Sequence, residues 1–234
     1  MPDHIHLLLF VTAPTKLHLG NYIGKLKIAI HQEYHAINPL EISIFEEDYY
    51  DCILHSHRSL DTLYKYIRDN PRRLAVRRAH PEFFRRVNAL KIGDQTCQAY
   101  GNFQLLECPF KEQVIVHRAD SAETLRLNRE RWLYTAANGG VLVSPFISAA
   151  EKAVRTETEE AGGRFILIIN EPMSERYKPS GRDFELCEAG RLLIISANAP
   201  GALSRAACLT MNELAKKCLF FCVNGLPLNI NKNL

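Results

Sequence analysis

Apolar residues recur at helical spacing from about Leu19 to Ile37, where Tyr22, Ile23, Leu26, Ala29, Ile30 and Tyr34 form one stripe and Lys25 and Lys27 lie off it. The spacing predicts an amphipathic helix. Ahead of it, residues 4–11 (HIHLLLFV) are a short apolar run of strand length, broken by Thr12 to Thr15 with Pro14. After Asn38 and Pro39, a strand-like stretch around Glu41 to Phe45 leads into the acidic aromatic loop EEDYYD. A second helix is expected near Leu60 to Asn70, ended or interrupted by Pro71.

From Gln113 the pattern changes to strand alternating with helix. The apolar run VIVH (114–117) precedes a helix from Ser121 to about Ala137; Gly139 and Gly140 precede VLVS (141–144); Ser148 with Glu151 forms a capping box that opens the next helix, which Gly162 and Gly163 close. FILIIN (165–170), a polar loop, a short helix near Phe184 to Ala189, RLLIIS (191–196) and a helix from about Leu203 to Phe221 follow. Near-continuous apolar strands between amphipathic helices predict a parallel sheet covered on both faces. The tail 224–234 is polar and expected to fray.

With 234 residues and 47% hydrophobic content, the chain has ample material for a buried core, which excludes a disordered or fibrous protein. No apolar run approaches the roughly 20 residues of a membrane span, and the acidic, histidine-bearing start is unlike a secretory signal. Seven cysteines, an odd number with no CxxC pair, indicate neither a disulfide framework nor a thiolate zinc site. The reducing cytoplasm fits these features, with no membrane partner. The formal net charge of +3 conceals a local concentration: residues 65–91 hold nine Lys or Arg against Asp69 and Glu82, so the rest of the chain is net acidic. Arg72, Arg73, Arg77, Arg78, Arg85 and Arg86 stand in pairs near Phe83 and Phe84, a pattern for which phosphate is the natural counter-charge and a solvated basic face the alternative.

All nine histidines lie at or before residue 117. His4 and His6 flank Ile5, so on a strand both imidazoles point to one face, with Cα atoms roughly 6.6 Å apart. They form a candidate pair of ligands for a divalent cation. Tyr66 and Asn70 are four apart, which on a helix stacks a phenol and an amide one turn apart on one face. Tyr64 points off that face, Tyr49 and Tyr50 fall in the acidic loop, and His55 and His57 read as solvated loop residues.

Together these features resemble the HUH single-tyrosine transposases of insertion sequences, and most closely the REP-associated tyrosine transposases. The matching segments are MPDHIHLLL (1–9) and YIRDNPRR (66–73), with the helix at 19–37 and the segment YYDCILHSHRSLDTLYKYIRDNP in the family's order and spacing, so the resemblance covers residues 1 to about 80. It implies that His4 and His6 are the two family histidines, Tyr66 the nucleophile and Asn70 the third metal ligand. It further implies Mg²⁺ or Mn²⁺, a single-stranded or hairpin DNA substrate, a 5′-phosphotyrosine intermediate with a free 3′-hydroxyl, and action as a monomer or homodimer. Because family members carry a strand and a helix upstream of the first histidine, the expectation is an incomplete ferredoxin-like α+β HUH domain over 1–95. Lys25, Lys27, Arg68, Arg72, Arg73, Arg77, Arg78, Arg85 and Arg86 are the candidate DNA-binding residues. A phenol with an ordinary pKa near 10 is a weak nucleophile at neutral pH. A bound cation acting as a Lewis acid on the scissile phosphate answers that difficulty, and two imidazole ligands favour Mn²⁺.

Residues 139–196 resemble the DprA/Smf-type Rossmann-like fold in a strand ending at Ser144, a Gly-Gly before a buried strand, the YKPSG loop and the passage from Cys187 to Ser196. The expected organisation is α/β overall, with a linker at 96–112 and a Rossmann-like parallel α/β domain at 113–223. Ligands of such sheets sit beyond the carboxyl ends of the strands, which marks Ser144, Ser148, Lys178, Ser180 and Arg182, with Pro145, Asn170 and Glu171, as a candidate ligand edge, the helix start at Ser148 suiting an anion. The competing functional reading is a non-catalytic single-stranded DNA- or nucleotide-binding module based on this second half.

Overall fold

The computed structural model describes residues 4–39, 43–51, 53, 57–199 and 201–221, the side chains of 57–59 excepted. Two compact units, Met1–Arg73 and Leu74–Leu234, divide the chain. The fold is α/β: among the described residues, seven α-helices accompany one six-stranded mixed sheet. No helix among them is long and apolar enough to cross a membrane.

In the first unit, helix α1 spans Leu19–Ile37, and Pro39, which has no N–H to continue the ladder, follows its end. Its apolar stripe is largely uncovered: Ile23 is buried, while Tyr22, Ile28, Tyr34 and Ile37 are exposed. The strand expected over 4–11 is absent. Among the described residues the segment pairs with no strand, and Ile5, Leu7, Leu9, Phe10 and Val11 are exposed. An isolated strand leaves its own backbone groups to water and does not persist. Residues 43–45 likewise form no strand, and 40–42 lie outside the described residues, as do His55, the side chain of His57 and the tail 224–234.

Helix α2 spans His57–Ala79 and carries Pro71 inside it, so the proline neither ends nor breaks the helix as its chemistry predicts. The residues after it, rich in Arg, Ala and Leu, have high helix propensity. Arg72 Nε donates to Asp69 Oδ1 at 2.7 Å across one turn and further supports the helix there. The boundary between the units falls within α2, after Arg73.

The second unit opens with a 3-10 turn, Pro81–Phe84, and a hairpin of β1 (Arg85–Ile92) and β2 (Gln95–Gly101). The two-residue turn between them uses Gly93 at φ 60°, the left-handed conformation such turns require. Then follow α3 (Gln104–Glu107), β3 (Lys111–Gln113), α4 (Ala122–Ala137), β4 (Val141–Ser144), α5 (Ala149–Glu160), β5 (Arg164–Ile169), α6 (Gly181–Glu188), β6 (Leu192–Ser196) and α7 (Arg205–Leu219). Residues 85–112, expected to divide between the first domain and a linker, therefore lie in the second unit, and β1 and β2 join its sheet. The sheet order is β1-β2-β6-β5-β4-β3, with β3 to β6 mutually parallel and β2 antiparallel to β6.

The strand expected at 114–117 lies three residues earlier. Val114 N still donates to Val143 O at 3.0 Å, but Val116 N is captured by the Glu151 carboxylate at 3.0 Å, which draws the chain out of the ladder. The remaining helices and strands of this half fall within a few residues of their expected positions, and Ser121, Ser148 and Ser204 cap α4, α5 and α7 by accepting backbone N–H bonds.

Side-chain alternation along the parallel strands divides the core in two. Leu142, Phe165, Leu167, Leu192 and Ile194 pack with Trp132, Val154 and Phe184 on one face. Val141, Val143, Ile166, Ile168, Leu193 and Ile195 pack with Leu105, Met211 and Leu214 on the other. Each such fully buried side chain stabilises the fold by about 1.5–3 kcal/mol. Gly101 closes the β2 end of this sheet at φ 129°, where a Cβ would lie 2.4 Å from the Leu192 carbonyl oxygen. Gly101→Ala is expected to destabilise the second unit by more than about 2 kcal/mol, read as a lowered urea midpoint at unchanged m-value.

Candidate active site

Helix α2 presents Tyr66 and Asn70 one turn apart, as the i,i+4 spacing dictates. Asn70 is buried, whereas the Tyr66 ring stays 44% exposed and open to a substrate. The opening segment reaches these two residues. Asn70 Nδ2 and His6 Nε2 are 3.1 Å apart, and the His6 ring meets the Tyr66 ring edge-on with centroids 5.7 Å apart. His4 lies beside them, its Nε2 3.1 Å from that of His6 and the two rings perpendicular. Two imidazoles, an amide and a phenol thus share one place, even though the strand expected to align the histidines has not formed.

The donor set fits a divalent cation. Two nitrogens that bind one ion at about 2.0–2.1 Å with cis or tetrahedral angles stand about 2.9–3.4 Å apart, and the His4 and His6 nitrogens meet that spacing. Asn70 directs its Nδ2 to His6; a half-turn of the amide brings its oxygen, the donor a hard cation takes, to the same position. Crowding around the ring desolvates His6, and neighbouring His4 adds like-charge repulsion, so the His6 pKa lies below its ordinary value. Its neutral, ligating form is thereby favoured. Among the described residues no group of three or more His, Cys, Asp and Glu is placed to hold a metal. The set here has only two histidines of those types, with the amide as third donor.

The basic residues separate into two kinds. Lys27 Nζ donates to the carbonyls of Glu46, Glu47 and Asp48 at 2.6, 3.1 and 2.8 Å and so fastens the acidic loop. Arg86 clasps Met173 O, Ser174 O and Glu175 O at 3.1, 2.7 and 2.8 Å. Arg73 is buried. These three side chains are engaged within the fold. Arg72 remains exposed while paired with Asp69, whose carboxyl it holds below the usual range through that hydrogen bond. Arg85 lies over the Phe103 ring at 5.3 Å. Lys25, Arg68, Arg78 and Arg85 are exposed and Arg77 is half-buried.

The expected ligand edge of the second unit is also largely spent internally. Ser144 is fully buried and its Oγ accepts from Phe146 N at 2.9 Å, which supports the turn where Phe146 takes φ 48°. Ser148 caps α5. The buried Glu151 carboxylate accepts from Ile147 N and Ser148 N at 2.8 and 2.9 Å as well as from Val116 N. The helix start expected to take an anion therefore already holds one, supplied by the chain. Arg182 is ion-paired to Glu159. Asn170 Nδ2 bonds to Gly201 O at 3.1 Å, the Glu171 carbonyl accepts from Ser196 Oγ at 2.7 Å, and Pro145 is half-buried. Only Lys178 and Ser180 of the five marked residues stand exposed with no ion pair or hydrogen bond recorded for their side chains.

Sequence reasoning missed Gln98, which accepts from Met173 N at 2.7 Å and with Arg86 anchors the loop before α6. No local signal marks such a contact, because its partners are about 75 residues apart. It also passed over His31 and His35 on α1, whose four-residue spacing was a readable signal.

No protein-family model, curated protein or solved structure matches this chain.

Since metal ligation needs a neutral imidazole, Mn²⁺ affinity is expected to hold at pH 8 and to fall in acid by about tenfold per pH unit for each proton displaced. The lowered pKa of His6 moves its own contribution to that loss toward more acid pH. Calorimetric titration at stepped pH checks this, with His6→Ala expected to abolish the binding.

Proposed function

We propose that the chain is a single-tyrosine HUH transposase-like enzyme that cleaves and rejoins single-stranded or hairpin DNA. The observation that supports this reading is the convergence of His4, His6 and Asn70 beside the exposed ring of Tyr66. A divalent cation held by His4, His6 and Asn70, Mn²⁺ in preference to Mg²⁺, would supply Lewis acidity to a non-bridging phosphate oxygen.

The chain's own residues account for the rest. The Tyr66 phenolic oxygen bonds to the phosphorus as the P–O3′ bond breaks; the phenol loses its proton and the departing 3′-oxygen gains one, so the exchange needs no oxidant or energy source. The 5′-phosphotyrosine retains the ester bond, and a 3′-hydroxyl rejoins a strand by the reverse step. His6 stays neutral through desolvation and the neighbouring His4. Asn70, buried on α2, keeps the helix in register with the histidines. Exposed Lys25 and Arg68 in the first unit, and Arg78 and Arg85 in the second, are cations available to backbone phosphates. In this reading the first unit is a ferredoxin-like HUH domain and the second a Rossmann-like one, in keeping with its four parallel strands in sequential order. The free thiols among the described cysteines accord with the reducing cytoplasm.

One observation favours the second reading, a binding module based on the second unit. Among the described residues of the first unit only Ile23, Asn70 and Arg73 are buried, whereas the second unit has two complete core layers.

The two readings divide at Tyr66. Incubated with single-stranded hairpin DNA and Mn²⁺, the full chain is expected to form a covalent protein–DNA adduct that resists denaturant. Tyr66→Phe abolishes it, Tyr64→Phe does not, and His6→Ala slows it by about 10²–10³-fold. DNA retention without any adduct would establish the binding module instead.

A further inference from the structure

We propose that His31 and His35 on α1 form a second transition-metal site, separate from the histidines of the opening segment. The two lie four residues apart within Leu19–Ile37, so they occupy one face of the helix on consecutive turns. Their rings are already in contact, with centroids 4.1 Å apart and planes inclined by 59°. Side chains so spaced have Cβ atoms about 5–6 Å apart, a span over which rotation about the side-chain torsions brings one nitrogen of each ring to an ion at about 2.0–2.1 Å. Two histidines at this helical spacing are the pair that holds zinc in helix-borne metal sites.

A second observation points to the same place. His35 Nε2 is shielded from solvent and has no hydrogen-bond partner among the described residues. A buried ring nitrogen without a partner is costly, and a bound ion is one of the few ways to satisfy it. The Tyr34 ring meets His35 edge-on at 5.9 Å and restricts that ring's movement.

The donor chemistry selects the ion. Two imidazoles, with no Asp, Glu or Cys placed to join them in a group of three among the described residues, suit Ni²⁺, Cu²⁺ or Zn²⁺, with water completing the coordination, and give Mg²⁺ or Mn²⁺ little hold. The site at His4, His6 and Asn70 differs in offering an amide oxygen as well. The site on α1 is a metal clip that holds two consecutive turns of the helix together, and its existence does not depend on DNA cleavage by Tyr66.

The test is calorimetric titration of the full chain with Ni²⁺, reversed by a chelator, with helix content followed by circular dichroism. Ni²⁺ is used because imidazole suits it and the chain carries free cysteines, among them the half-buried Cys108 and Cys208. The native chain is expected to take up one equivalent that is lost in the double variant His31→Gln, His35→Gln and retained in His4→Gln, His6→Gln. Either single substitution on α1 weakens that equivalent at least about a hundredfold, because the second ligand no longer binds intramolecularly. Glutamine forms helix more readily than histidine, so an unchanged metal-free spectrum shows that α1 persists in the variants. An uptake identical in the native chain and the α1 double variant would overturn the proposal. Loss of a different equivalent in the opening-segment double variant reports on the transposase-like site alone.

Discussion

The second unit depends on burying both faces of its parallel strands. β4, β5 and β6 alternate side chains between two cores, so that Leu142, Phe165 and Leu192 face one helical layer while Val143, Ile166 and Leu193 face the other. A strand apolar on both sides is stable only inside such a sandwich, and the β1-β2 hairpin extends it beyond β6. Gly101 permits that extension, since any side chain there would collide with the Leu192 carbonyl. Among its described residues the first unit has no comparable interior. Its organisation, as far as the candidate site is concerned, comes from the contact between buried Asn70 and His6, which ties an unpaired opening segment to α2.

Charged side chains act repeatedly as staples on backbone groups. Lys27 gathers three carbonyls of the acidic loop, Arg86 three carbonyls of the loop before α6, and Lys111 the carbonyls of Leu106 and Phe221. Glu151 does the converse, offering its carboxylate to three backbone N–H groups. A loop leaving a helix or strand exposes backbone groups that need partners, and a long flexible ionised side chain supplies several at once. A cluster of arginines is therefore a poor guide to a nucleic-acid surface until each guanidinium has been traced to its partners. Here Arg73 is buried and Arg86 holds a loop, while Arg68, Arg78 and Arg85 are open to solvent.

The candidate site combines a buried amide with an exposed phenol, a division suited to its chemistry. In the proposed reading the group that orients the ligands is held by the fold, and the group that would meet the substrate stays accessible. His6, desolvated and beside a second imidazole, is kept in the state able to ligate. The pair His31 and His35 presents two imidazoles in contact, which in the proposed reading address a softer set of ions.

By itself the sequence determined what rests on local periodicity and capping: α1, the succession of helices and strands after residue 120, and the stacking of Tyr66 on Asn70, because these follow from neighbours three or four residues away. Tertiary structure decided what depends on distant partners. The run at 4–11 forms no strand because no ladder partner lies beside it among the described residues, whereas 96–101, which reads as part of a linker, falls in a strand inside the sheet because β6 pairs with it. Pro71 is carried through a helix that its own chemistry opposes. The meeting of His6 with Asn70 and the capture of Arg86 by residues 173–175 join groups 64 and about 88 positions apart. Such contacts exist only once the intervening chain has folded, and no local pattern encodes them.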